Sequence, residues 1–306
     1  MSTALLLSVL SAAVVTGATF LLAALGALLN ERAGILNLGV EGLMLMGAVA
    51  GFLAAQGTGS PWLGALAALA AGALVALIHA FLTISLRANQ VGSGLALAIF
   101  GSGFSAYMGR SVAGLPLASP FRSVAIPGLS QIPVIGDLLF NHNPLVYIGM
   151  LLVPLLSWWL YRTRPGLHLR AVGENPAAAD AMGISVGRTR YLCVLLGGAL
   201  CGLAGAHLSL AVAPSWVEGM TAGRGWVAVA LVIFAGWDPV RAAAGAFLFG
   251  AVEAAVFRLQ AAGSAISPAL LAMLPYLLTL AALAVASRGR SRVPGALGLA
   301  YDRESR

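Results

Sequence analysis

R-T-R-P-G-L-H-L-R-A-V-G-E-N-P-A-A-A-D-A-M-G-I-S-V-G-R-T-R, residues 162–190, is the longest clearly polar interruption in a 306-residue chain that is 60% hydrophobic. It carries arginines at 162, 164, 170, 188 and 190, and short loops rich in Arg or Lys stay on the cytoplasmic side of a membrane. A small helix inside it has both ends marked. Asn175 is the N-cap, Pro176 suits the first helical position, and Gly183 supplies a left-handed residue after the end. The helix, Pro176 to Met182, is roughly two turns long and too short to be stable alone in water. It therefore needs something to pack against, and a partner protein on the cytoplasmic face would serve. On composition alone the stretch is equally an ordinary capped connector whose arginines only fix orientation.

Working outward, charged residues make up 9% of the chain and the mean hydropathy is +0.94. Soluble domains carry about 25% charged residues, so this is an integral membrane protein. The net charge of +7 comes entirely from arginine on the basic side. Most of these arginines fall in loops read as internal, so the charge reports topology and contact with membrane lipid, and nucleic acid is not an expected partner. The absence of lysine excludes a phosphate-binding loop of the G-x-x-x-x-G-K-[ST] kind and Schiff-base chemistry. If ATP drives this protein, another polypeptide hydrolyses it, and no cofactor is expected on this chain. Cys193 and Cys201 read as small buried residues, with no disulfide or metal assigned. The N-terminus lacks a positive leading region, so a cleaved signal peptide is not favoured.

About 20 apolar residues cross roughly 30 Å of hydrocarbon. On this measure the fold class is an all-α integral membrane protein of about nine (8–10) transmembrane helices, with an external N-terminus. One transmembrane domain covers 1–306. Its parts are a first repeat at about 4–108, an external loop at 109–143 with room for a short surface helix, a linking span at 144–161, the cytoplasmic loop at 162–190, a second repeat at about 191–287 and a cytoplasmic tail at 288–306. Ser60-Pro61, Asn143-Pro144, Asp238-Pro239 and Ser267-Pro268 are helix starts of the cap-then-proline type. Thirteen arginines then lie inside and four, at 110, 122, 224 and 258, outside. The two repeats share an order of elements but begin on opposite sides, which is the layout of an inverted-topology repeat. Val40-Glu41-Gly42 and Val217-Glu218-Gly219 fall in matching glycine-rich breaks, and such breaks would meet near the centre of the membrane.

Ionisable or polar groups within the spans are the candidates for a translocation path. The apolar run after residue 42 is too short to span, so its helix is expected to begin near Ile35 or Leu36. Asn37 and Glu41 would then share one face, with an ion pair between Glu41 and Arg32 as the structural alternative. Asn89, Gln90, Ser93 and Ser102 suit a neutral polyhydroxy solute, or simply satisfy backbone at a turn. Glu218 sits in the second break. Glu253, five residues before Arg258, is read as a hydrogen-bonding or ion-pairing residue. His79, His142, His168 and His207 are scattered without metal-ligand spacing, and no catalytic grouping is visible.

V-G-E-N-P-A-A-A-D-A-M-G-I, residues 172–184, followed by basic residues, resembles the cytoplasmic loop of permease subunits of bacterial ABC importers. The branch is the one serving simple sugars, nucleosides and branched-chain amino acids. G-I-L-N-L-G-V-E-G, residues 34–42, resembles the motif opening the second conserved helix of these permeases, most of all in the nucleoside branch. The resemblance implies a multi-pass protein of the bacterial cytoplasmic (inner) membrane that forms the path for a small neutral solute, a nucleoside first and a simple sugar next. It implies coupling to an ABC ATPase subunit through Glu174, Asn175, Pro176, Ala178, Ala179, Met182 and Gly183. It further implies a second permease, identical or related, and an extracytoplasmic substrate-binding lipoprotein. The alternative reading is a self-sufficient secondary transporter or channel, which would need ion-coupling carboxylates deep in its spans, where only Glu41 and Glu253 qualify.

Overall fold

The computed structural model describes residues 3–263, 266–286 and 293–303. The tail arginines 288, 290, 292 and 306 lie outside these. In chain order the helices are α1 (Thr3–Arg32), α2 (Val40–Thr58), α3 (Pro61–Ala80), α4 (Gln90–Gly109), α5 (Ile135–Leu139), α6 (Pro144–Arg162), α7 (Arg164–Glu174), α8 (Pro176–Ala181), α9 (Val186–His207), α10 (Arg224–Ala235), α11 (Pro239–Ala261), α12 (Pro268–Ala272) and α13 (Leu274–Ala286). Single π-helical turns extend α3 through Ser85 and α9 through Val212. The external-loop region adds α5 and a two-residue antiparallel pairing of β1 (Val124–Ala125) with β2 (Asn141–His142).

Seven helices among the described residues, α1, α2, α3, α4, α6, α9 and α11, are long and apolar enough to cross a membrane. The expected count of about nine thus rests on two shorter apolar pieces, α10 and the region of α12 and α13. All four cap-then-proline sites open helices, with the side-chain cap formed at Ser60, Asn143 and Asp238 and no side-chain cap hydrogen bond at Ser267. Asn143 Oδ1 accepts from Leu145 N–H and Val146 N–H, and Asp238 Oδ1 from Val240 N–H and Arg241 N–H, each between 3.0 and 3.2 Å. Thr163 and Pro165 open α7 in the same way, with Thr163 Oγ1 accepting from Gly166 N–H. The loop read as holding a single short helix therefore holds two.

The core is built on two antiparallel helix pairs. α1 lies along α11, and α3 along α9. Both crossings are made backbone to backbone through glycine. A methyl group on Gly250 would land on the Ala13 carbonyl oxygen, and one on Gly72 on the Gly198 carbonyl oxygen. Lipid tails are as apolar as leucine, so association inside a membrane depends on close packing of this kind more than on hydrophobicity. α1 also packs on α9, which brings the two pairs together, with Phe20, Leu25, Leu28, Cys193 and Cys201 in the shared interior. α4 and α6 lie outside this centre and leave much of their apolar surface exposed.

One end of the bundle is tied by polar contacts. Arg32 at the end of α1 donates to the Trp237 carbonyl oxygen at 2.8 Å and to Tyr161 Oη at 3.1 Å. Tyr161 Oη donates to Asp238 at 3.1 Å, and Trp237 Nε1 to the buried Glu31 at 2.6 Å. The ends of α1 and α6 and the start of α11 therefore meet at the end that carries α7 and α8.

Candidate coupling and translocation sites

The short helix α8 is capped as its sequence requires. Asn175 Oδ1 accepts from Ala178 N–H at 3.0 Å. Gly183 adopts φ +81°, and the N–H groups of Gly183 and Ile184 return to the carbonyls of Asp180 and Ala179 at 2.9 and 3.0 Å. Glu174 ends α7 and Pro176 begins α8, so the turn between them is fixed by Asn175 alone. Ala179 is buried against Val172 of α7, Val186 of α9 and Tyr301 of the C-terminal segment. The chain itself, and not only a partner, thus holds this helix, which corrects the expectation from its length. Ala178 faces outward, and Met182 is 81% exposed at the far end. The result is a rigid knob with one apolar tip.

α7 fixes the knob to the bundle. Arg170 donates to the Leu160 carbonyl oxygen at 3.0 Å and lies over the Tyr161 ring. Arg190, read from sequence as one more loop arginine, is buried; its Nε donates to the Ala33 carbonyl oxygen at 3.2 Å.

The second site lies where the two glycine-rich breaks meet. Residues 33–39 are not helical and α2 starts at Val40, so Asn37 and Glu41 do not share a helix face as expected. Asn37 instead turns back on its own segment, its Oδ1 accepting from Gly39 N–H at 2.8 Å. Nor does Glu41 pair with Arg32. Its Oε1 accepts from Thr221 Oγ1 at 2.5 Å and from Gly223 N–H at 2.8 Å, and its Oε2 from Gly225 N–H at 2.7 Å. Gly223 is the N-cap of α10 and Gly225 lies in its first turn, so a side chain from the first half caps a helix of the second.

Glu41 also stands in the first turn of its own helix, α2. Two helix N-termini, each with a partial positive charge, therefore converge on one carboxylate, which offsets the repulsion between them. The contact is close, since a Cβ on Gly225 would sit 2.5 Å from the Glu41 backbone nitrogen. The twelve residues of α10 rise about 18 Å, placing this junction roughly half a hydrocarbon thickness from the end marked by Trp237.

The remaining polar candidates gather beside the 33–39 link. Gln90 is buried at the start of α4, its Oε1 accepting from Leu36 N–H at 2.6 Å. Ser93 Oγ lies 2.9 Å from His79 Nδ1, and Asn89 Oδ1 caps α4 by accepting from Gly92 N–H at 2.8 Å. Asn37, Glu41, Asn89, Gln90 and Ser93 thus belong to one neighbourhood and mostly satisfy backbone, while Ser102 is exposed further along α4. Glu218 is exposed on the 213–223 segment, apart from them.

Sequence reasoning missed Arg224 and Thr221. Arg224, expected outside, lies within the bundle and pairs with Glu253 of α11, with the side chains 13% and 11% exposed. Glu253 is thereby partnered by Arg224 and not by Arg258. Both members of this pair line a cavity of about 210 Å³, together with Phe20, Val227 and Tyr276. Another of about 220 Å³, lined by Thr16, Thr19, Leu208, Met220 and Arg224, shares Arg224 with the first. Thr19, which also lines the second cavity, has its Oγ1 2.8 Å from His207 Nδ1, and His207 Nε2 lies 3.3 Å from Asn143 Nδ2. The available signal was Glu253 itself, because a carboxylate in an apolar span demands a partner. Among the described residues no group of three or more His, Cys, Asp or Glu side chains is placed to hold a metal ion.

Comparison with known proteins places these features in a family. Residues 9–283 match the model of the branched-chain amino acid transport system / permease component. TsgC13 of Haloferax volcanii, named provisionally as a glucose ABC transporter permease protein, is 42% identical over 96% of this chain and 97% of its own. The guanosine ABC transporter permease protein NupQ of Bacillus subtilis is 36% identical over 97% of each chain. The nucleoside ABC transporter permease protein NupC of Lactococcus lactis is 34% identical over 90% of this chain and 91% of its own. The chain belongs to the branched-chain amino acid transport system permease family: it is the multi-pass membrane subunit of an ABC importer, working with a separate subunit that hydrolyses ATP.

Proposed function

We propose that this subunit carries a nucleoside inward, with α8 receiving the motion of the ATPase and the link at 33–39 passing it to the path. The observation that carries the coupling role is the geometry of α8. It is a helix capped at both ends and packed on its own chain through Ala179, with Met182 left exposed as the tip a partner groove would take. Glu174, Asn175, Pro176, Ala178 and Gly183 set its angle and ends. In this reading the path runs beside Asn37, Glu41, Gln90 and Ser93, whose neighbourhood joins the link to the start of α4, with Asn89 capping that start. Glu218, exposed in the second break, is assigned to the outer entrance. The relatives named for guanosine and for nucleosides, 36% and 34% identical, support that solute class, and the 42% identical TsgC13, named for glucose, keeps a simple sugar as the alternative that the assay must separate. The assembly comprises a second permease, identical or related, and an extracytoplasmic binding lipoprotein. The end bearing α7 and α8 faces the cytoplasm, as the arginines of the 162–190 loop require.

The test is uptake of radiolabelled guanosine, against glucose, by proteoliposomes holding the complete complex. Guanosine uptake that requires ATP and is not diluted by excess glucose is the expected result. Gly183→Pro forces a φ near −65° on a residue at +81°, and Glu174→Arg reverses the charge at the α7–α8 turn. Both should leave membrane insertion intact and abolish uptake while ATP hydrolysis continues. Uptake at the original rate in both variants would remove α8 from the coupling role.

A further inference from the structure

The segment 293–303 is built into the end of the bundle that carries α8. Ala296 is buried, and its N–H donates to the carbonyl oxygen of Gly173 in α7 at 2.9 Å. Two residues on, Gly298 N–H donates to the Gly34 carbonyl oxygen in the 33–39 link at 3.3 Å. The Leu299 carbonyl oxygen accepts from Arg190 at 3.3 Å and lies 3.5 Å from Gln90 Nε2. Tyr301 Oη donates to Asp180 of α8 at 3.1 Å, and Arg303 Nε pairs with the same carboxylate at 2.9 Å. Asp302 pairs with Arg87, just before α4, at 2.5 Å. One short stretch therefore touches α7, α8, the link leading to Glu41, and the beginning of α4.

We propose that residues 293–303 are a third part of the coupling element, transmitting displacement of α8 to the 33–39 link and to α4, with Asp180 as the positioning residue at the α8 end. The inference rests on the coupling role of α8. No direct hydrogen bond or ion pair joins α8 to the link or to Gln90 among the contacts described above, whereas the segment bonds to all three. An exposed ion pair alone holds little. Here the contacts to Asp180 and to Arg87 are made by consecutive residues, 301–303, of a segment already fixed by backbone hydrogen bonds and the burial of Ala296, so a shift of α8 is delivered to Arg87 before α4 and, along the fixed backbone, to the link. Tyr301 also packs against the apolar cluster of Val172, Ala179 and Val186, so apolar packing accompanies its contact with Asp180.

The experiment uses the complete complex in proteoliposomes and three readouts: cross-linking of a Met182→Cys chain to the ATPase subunit, ATP hydrolysis, and solute uptake per ATP, with guanosine as probe, or glucose where the first assay selects it. In the otherwise intact chain, failure of the Met182→Cys cross-link overturns the coupling role of α8 itself. With that cross-link present, a chain truncated after residue 292 should still cross-link and hydrolyse ATP, while uptake per ATP falls at least tenfold. Uptake per ATP within twofold of the intact chain overturns this inference and leaves the coupling role standing. Should the truncated chain not assemble, Asp180→Arg and Arg303→Asp are measured singly and together. Each single reversal should lower uptake per ATP about threefold or more, and the double reversal should regain most of it. Equal losses in singles and double, or no loss in any, overturn the proposal.

Discussion

The two glycine-rich breaks carry the same tripeptide, Val-Glu-Gly, at 40–42 and at 217–219, yet the structure treats the two glutamates differently. Glu41 holds three donors of the opposite half, while Glu218 is exposed. The helix frame around them is paired, α1 with α11 and α3 with α9, both through glycine contacts. Symmetry of the frame thus does not extend to its polar groups. A shared frame fixes where a carboxylate starts. The N–H groups within its reach decide what it does, and here α10 opens directly onto Glu41.

The sharpest way to break this contrast is to remove each carboxylate in turn. Glu41→Leu orphans Thr221 Oγ1 and two helix-opening N–H groups, and a buried unsatisfied donor costs about 1–3 kcal/mol. A loss of stability above about 4 kcal/mol is expected from SDS-titration unfolding in micelles, together with loss of uptake. Glu41→Gln, which keeps one acceptor oxygen, should lose clearly less. Next in size is Arg224→Leu, which strands the Glu253 carboxylate among apolar side chains. Breaking a buried pair from one side costs about 3–5 kcal/mol, and adding Glu253→Leu should recover more than half in the same titration. Third, Gly72→Leu and Gly250→Leu test whether the two pairs are equivalent. Each forces a side chain into a backbone contact at about 1–3 kcal/mol, whereas Gly57→Leu, with nothing within 4 Å of its added Cβ, should be neutral. Unequal costs at Gly72 and Gly250 would show that one pair carries the frame. The smallest effect is at Glu218→Ala, where exposure predicts a change within about 0.5 kcal/mol. A loss there comparable to that of Glu41→Leu would undo the contrast.

Local chemistry was legible in the sequence. Asn175, Asn143 and Asp238 each accept from an N–H two or three residues away, so the cap and the helix it starts are written together. α7 carried the same signature in Thr163-Arg164-Pro165 and was hidden only by its polarity, which reads as loop beside such apolar spans. The long spans α1, α3, α6, α9 and α11 followed from hydropathy in the same direct way, whereas the apolar run of α2 read as too short to span and its helix begins at Val40, not near Ile35. What sequence did not disclose lies at long separation. Glu41 meets residues about 180 positions away, and Arg224 meets Glu253 only because α10 starts inside the bundle. Counting arginines by side of the membrane assumes that every charge belongs to a loop outside it. Arg224 violates that assumption and was placed on the surface accordingly. The role of 293–303 was illegible for a related reason: its key contacts use backbone atoms of Gly173, Gly34 and Leu299, which no side-chain pattern records.

The glycine crossings bear on how such a protein can move. Where backbones touch directly, no layer of side chains remains to let one helix slide along its neighbour, so neither pair can shear. Gly26 of α1 meets the Gly197 carbonyl oxygen of α9 in the same way, so the four helices are expected to travel as one solid body, with rotation absorbed at non-helical joints leading out of it, such as residues 33–39 between α1 and α2.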